Sequence, residues 1–194
     1  MADALIPLLE EVRGCRVCEE VLPLGPRPVV RASASARLLV IGQAPGTRVH
    51  ASGIPWDDPS GVRLRAWLGM TPDTFYDVSR IAIMPMGFCY PGRGRGGDLP
   101  PRPECAPRWH PSLLAGMPDI RLVLLIGRYA QQRYLPDWRG SLSDTVARHR
   151  EVPTPFFPLP HPSPRNTRWL RQRPWFEAEV VPALREQVAA ALGQ

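Results

Sequence analysis

The chain has 194 residues, 44% of them apolar, and a formal net charge of +6, which suits one globular domain over residues 1–194 and excludes a disordered chain. All 24 basic residues are arginine, so no side chain can form a Schiff base or act as the lysine of a phosphate-binding P-loop. No uncharged apolar run reaches the length of a membrane span, and the opening MADALIPLLEEVRGC carries acids where a secretion signal has a basic start. A cytoplasmic protein is therefore expected, with no membrane partner and acting as a monomer. The basic surplus suits a polyanionic partner.

A first helix is expected from Asp3 to Val12. Behind it, Cys15 and Cys18 form a C-x-x-C pair. A first strand, Leu38–Gly42, runs into Gly42-Gln43-Ala44-Pro45-Gly46, a tight turn whose backbone N–H groups can cradle an anion or a base carbonyl. It has neither the spacing nor the lysine of a Walker loop, and it is not G-x-G-x-x-G. The next block, Ser52 to Gly61, sets Trp56, Asp57 and Asp58 between glycines and prolines. Trp56 can stack on a flat ligand or fill the core. Either acid can stabilise a cation or orient water, or Asp58 or Ser60 can simply cap the helix that follows. That helix is marked by Leu64, Trp67 and Leu68.

The second strand, Ile81–Met86, is followed by Cys89 and by Pro91–Pro107, a stretch rich in Gly, Pro and Arg that reads as a long loop ending near Cys105. Leu113, Leu114 and Met117 have helical spacing. Strands Leu122–Gly127 and Phe156–Leu159 follow. Continuously apolar strands alternating with helices imply a three-layer α/β/α fold with a parallel sheet, whose ligands bind at the carboxyl ends of the strands. The last strand leads into Pro160-His161-Pro162-Ser163-Pro164-Arg165-Asn166, where a histidine sits between stiff prolines. Arg165, Arg168, Arg171 and Arg173 with Trp169 suit phosphate and base contacts. A final helix spans about Trp175 to Leu192, with Val181, Leu184, Val188 and Leu192 as its apolar stripe and Pro182 starting or kinking it.

All four cysteines can serve one centre. A C-x-x-C pair completed by two distant cysteines suits a 4Fe–4S cluster or a structural zinc, and four unrelated buried thiols are the bland alternative. Disulfides do not fit a cytoplasmic protein.

Together these residues resemble the uracil-DNA glycosylase superfamily. LLVIGQAPG resembles its first motif and HPSPRN its second, the minor-groove loop. Cys15, Cys18, Cys89 and Cys105 look like the cluster ligands of its iron–sulfur group, family 4, and SGIPW looks like that group's segment carrying the stacking aromatic. The resemblance implies a four-stranded parallel sheet between helices and a structural 4Fe–4S cluster, with zinc as the alternative metal. It also implies a monofunctional glycosylase acting on DNA that contains uracil or a related deaminated base. In it, Gly42, Gln43, Ala44, Pro45 and Gly46 line the base pocket, with Asn166 beside them, and Trp56 stacks on the flipped base. His161 donates to a pyrimidine carbonyl. Pro162, Ser163 and Pro164 press the DNA backbone, and Arg165 acts as a wedge. Beyond the resemblance, the arginine run itself makes Arg168 and Arg171 candidates for phosphate contacts.

The sequence departs from the family pattern in places. Ala44 stands where the best-known members carry their acid. Asp58-Pro59-Ser60-Gly61 is similar to a stretch of another branch, family 5, which makes Asp58 the preferred acid and Asp57 the second choice. Met84, Pro85 and Met86 stand where relatives place a base-reading asparagine, and the second motif is closer to the non-iron–sulfur branches. Two other functions stay open on the residues: a damaged-DNA-binding protein of this fold with little or no catalysis, and a zinc-containing nucleotide hydrolase or binding module.

Overall fold

The computed structural model describes residues 2–136 and 140–193. Helix α1 (Ala2–Arg13) precedes strand β1 (Leu38–Ile41), then α2 (Thr47–Ser52), α3 (Pro59–Leu68), α4 (Pro72–Tyr76) and strand β2 (Ile81–Ile83). A small hairpin, β3 (Arg93–Gly94) and β4 (Gly97–Asp98), leads to α5 (Cys105–Ala115) and β5 (Leu122–Ile126). Helices α6 (Arg128–Tyr134) and α7 (Leu142–Ala147) come before β6 (Phe156–Leu159), and α8 (Thr167–Arg171) and α9 (Val181–Leu192) close the chain. No described helix is long and apolar enough to cross a membrane.

The central sheet has the order β2-β1-β5-β6, and every pairing in it is parallel. Successive side chains of a strand point to opposite faces, and the core divides accordingly. Leu39, Ile41, Val123 and Leu125 face a layer that includes Leu5, Leu9, Trp109 and Leu113 from α1 and α5. Leu38, Val40, Leu122 and Leu124 face Leu64, Trp67, Leu184 and Val188 from α3 and α9. Both faces are covered, so β1 and β5 are apolar throughout, as a buried parallel sheet requires. Pro158 lies in the edge strand β6, where the missing N–H is tolerated. The chain reverses its direction of strand addition between β1 and β5, which opens a crevice at their carboxyl ends.

Several boundaries differ from the sequence reading. β2 ends at Ile83 rather than Met86, although the Met84 and Met86 N–H groups still donate to Val40 and Gly42 carbonyls. The Pro91–Pro107 stretch is not one loop: it holds the hairpin, and Cys105 opens α5. Met117 lies beyond Gly116, outside α5, but is buried against the same core. The final helix is interrupted. Phe176–Val180 forms a π-turn before α9 because Pro182 has no N–H to give and its ring crowds the preceding turn. The four stripe residues are all buried.

Candidate active site

A cavity of about 470 Å³ opens at the carboxyl end of the sheet. Its floor is the turn after β1. Gly42 is there because nothing larger fits: a Cβ would stand 2.8 Å from Cζ2 of Trp56. Trp56 holds a left-handed backbone with φ of 59°, a strained state for a bulky residue. The fold over-determines it. Trp56 O lies where a Cβ on Gly61 would be, 1.7 Å away, and Arg65 Nη1 donates to that oxygen at 3.3 Å. Tyr76 Oη donates to Pro55 O at 3.0 Å. One face of the indole thus packs toward the α3–α9 core while the ring also lines the cavity. The ring thus fills core space and leaves part of its surface on the cavity.

The two acids separate. Asp57 is exposed and off the cavity, whereas Asp58 lines it. Asp58 also caps α3, its Oδ1 accepting the Gly61 N–H at 2.8 Å. The cap fixes the direction of a carboxylate that also lines the cavity.

His161 enters from the loop after β6, its ring 5.6 Å from that of Trp56 and tilted by 33°. Its Nδ1 accepts the Ser163 N–H at 3.2 Å. The neutral ring therefore carries its proton on Nε2 and presents a donor there. Burial holds its pKa below the ordinary histidine value, although the Asp58 and Asp98 carboxylates push the other way. Asn166 lines the cavity, but its Nδ2 donates to His161 O at 2.8 Å, so it braces the loop. Pro162 is buried and stiffens the loop from beneath, leaving Ser163 half-buried and Pro164 and Arg165 exposed.

Arg165 does not project freely. Its Nη1 donates to Gly96 O at 3.0 Å and closes one side of the mouth against the hairpin. Gln43 makes a matching tie from the floor, Nε2 to Leu99 O at 3.1 Å. Arg168 and Arg171 are exposed on α8. Trp169 between them is half-buried: its indole N–H donates to Ser143 Oγ at 2.8 Å and its ring packs edge-on against Trp175 and Phe176.

Three residues that sequence reasoning passed over shape the site. Arg63 of α3 holds the histidine loop, with Nη1 on Ser163 O at 3.0 Å and Nη2 on Thr167 Oγ1 at 3.2 Å. Asp98 of β4 lines the cavity. Buried His110 of α5 donates from Nε2 to Pro85 O at 3.0 Å and accepts the Tyr134 hydroxyl on Nδ1 at 2.6 Å. Its burial pushes its pKa down to about 4. Pro85 is the cavity wall at the end of β2, so His110 holds that wall from behind. None of the three has a local pattern around it. Each acts across more than fifteen residues of sequence.

Cys15, Cys18, Cys89 and Cys105 surround a second cavity with Phe88 and Trp109, and all four thiols are free. Burial pushes Cys89 up to about 11 and Cys105 to about 12. The Phe88 N–H donates to Cys105 Sγ at 3.3 Å. Among the described residues no three Cys, His, Asp or Glu side chains are drawn together in a way that holds a single metal ion.

The model of the uracil DNA glycosylase superfamily matches residues 30–185. The match runs from before β1 into α9 and takes in the Gly42–Gly46 turn, Trp56, Asp58 and His161, while Cys15 and Cys18 precede it. A parallel four-stranded sheet between helical layers, with its cavity at the carboxyl ends, agrees with that match, and the chain belongs to the uracil DNA glycosylase superfamily.

Proposed function

We propose that this protein is a monofunctional DNA glycosylase that hydrolyses the bond between deoxyribose and uracil, or a related deaminated base. Membership of the superfamily supports a DNA glycosylase-type function. The observation that carries the finer reading is the pairing of Trp56 with His161, a stacking face and a neutral Nε2–H donor 5.6 Å apart by ring centres. A flat lactam resting on the indole would offer a carbonyl to that donor. The target base would be flipped out of the stack at a cost of a few kcal/mol. As the C1′–N bond breaks, negative charge on the base is stabilised by His161 and the turn's N–H groups, and positive charge on the sugar by Asp58. Water completes the hydrolysis, and one copy of the chain suffices.

Base discrimination is expected to be broad. Pro85 has no N–H, and one lone pair of its carbonyl is taken by His110, so the β2 wall has less with which to read a base edge than an asparagine would. With no lysine in the chain, strand cleavage through a lysine Schiff base is unavailable and the abasic product stays intact.

The four cysteines would hold a 4Fe–4S cluster, whose contribution is to staple the N-terminal segment to α5 and the end of β2. The donor set fits: four free thiols line one cavity. The test of the reading is release of free base from oligonucleotides carrying uracil, hypoxanthine or xanthine, single- and double-stranded. Release with the strand left intact, and no covalent adduct trapped by borohydride, is expected. Release from none of them would sink it.

A further inference from the structure

The β3–β4 hairpin is the part of the cavity wall that the reaction as described above does not use. Its strands pair Arg93 with Asp98 and Gly94 with Gly97, leaving a two-residue turn of Arg95 and Gly96. Gly96, Gly97 and Asp98 all line the cavity. The hairpin is tied at both ends, by Arg165 to Gly96 O and by Gln43 to Leu99 O. Gly97 has φ of 136°, and a Cβ there would stand 2.3 Å from Arg165 Nη1, so only glycine lets the latch close.

These ties hold Asp98 at the mouth of the cavity, exposed but lining it. Its Oδ2 lies 3.5 Å from where a Cβ on Gly46 would stand, directly over the floor turn. Among the described residues it has no ion-pair partner. Asp58 differs, since one of its oxygens is spent on the α3 cap. Asp58, Asp98 and His161 line the same cavity, and both carboxylates favour a protonated His161 ring. Asp58 is half-buried and fixed, and Asp98 is on the solvent side.

We propose that Asp98 is a second carboxylate of the reaction centre, stabilising the cationic sugar and receiving a proton from the attacking water. The inference rests on the glycosylase reading above. In the step, the C1′–N electron pair leaves with the base, which is held by His161 Nε2–H. Water oxygen bonds to C1′, and its proton passes to the Asp98 carboxylate. That proton is then released to solvent or to the departing base, so the products are free base and a C1′ hydroxyl. A carboxylate facing a polyanion also opposes DNA binding, which gives Asp98 a signature that a structural residue lacks.

The test uses the full chain and Asp98→Asn. Single-turnover excision is measured alongside affinity for two abasic analogues in duplex DNA, a neutral tetrahydrofuran and a cationic pyrrolidine. The unaltered protein should prefer the cationic analogue. Asp98→Asn should excise at least about tenfold more slowly and lose about tenfold of that preference, given one charge at close range in a partly solvated site. Affinity for the neutral analogue should hold or tighten. Unchanged excision and preference would overturn the proposal and leave the glycosylase reading intact. An equal loss of affinity for both analogues would show that Asp98 only shapes the hairpin, and would overturn it too. If the unaltered protein releases no base and shows no cation preference, both readings fall together.

Discussion

Gly61→Ala tests how the stacking platform is built. The new Cβ would stand 1.7 Å from Trp56 O, 2.6 Å from its carbonyl carbon and 2.8 Å from its Cβ. Ordinary contact begins near 3.4 Å, so one side must retreat by about 1.5 Å or more. Helix α3 is poorly able to move, because Ser60, Leu64, Trp67 and Leu68 are buried in it. The Trp56 segment is the weaker side, since its left-handed backbone is already strained. The indole should therefore leave Gly42 and His161. The Asp58 cap should loosen with it, since its donor is the Gly61 N–H itself. A misplacement of about 1 Å near reacting atoms costs on the order of a hundredfold in rate, and overpacking costs about 1–3 kcal/mol in stability. The assay is single-turnover excision with protein in excess, paired with a thermal melt to establish that the variant folds. Gly42→Ala is the internal comparison: its Cβ meets only a ring edge, at 2.8 Å, and a smaller loss is expected. A folded Gly61→Ala protein that excises at the unaltered rate, or Gly42→Ala proving the worse of the two, would refute the reasoning.

Other consequences follow from the same geometry. His161→Ala should slow excision by about two orders of magnitude or more in the same assay, as loss of a transition-state donor does. Asp58→Asn keeps a good helix cap, so it removes charge alone and should slow excision with folding and DNA affinity little changed; Asp57→Asn should do neither, and damage from Asp57→Asn instead would reverse the assignment. His110 has a folded pKa of about 4 against the ordinary 6.5, so its burial as a neutral ring is fully tolerated above pH 6.5. As pH falls from 6.5 toward 4 the unfolded chain takes up the proton first, and about 3 kcal/mol of stability should be lost across that window. Urea melts at pH 7 and pH 4.5 should show most of this loss, and His110→Phe should show a smaller difference between the two pH values. Glu in place of Arg168 or Arg171 should weaken binding to any DNA sequence and flatten its salt dependence, measurable as the slope of log affinity against log salt; unchanged slopes would make these arginines mere solvated surface. Protein purified without oxygen should be brown with about four irons per chain, and Cys89→Ser or Cys105→Ser should lose them. Stoichiometric zinc in place of iron would reject the cluster.

The strands and the loops that line the cavity are legible in the amino-acid sequence. Leu38–Ile41, Leu122–Ile126 and Phe156–Leu159 are legible because a strand buried on both faces must be apolar at nearly every position, and ligand loops of such sheets follow the strands. Trp56, the Asp57–Asp58 pair and His161 are legible as candidates in that way, each in a short segment stiffened by glycine or proline. Tertiary structure alone decided which of two adjacent acids faces the cavity, because that depends on the cap that α3 imposes on Asp58. It likewise turned Trp169 into core packing and Arg165 into a latch on Gly96. Asp98, Arg63 and His110 left no local trace, since each meets its partners through contacts distant in sequence. The hairpin that carries Asp98 was unreadable for a further reason: two-residue strands of arginine, glycine and aspartate have no apolar period to betray them, and they are held in place by Gln43 and Arg165 from loops on other strands.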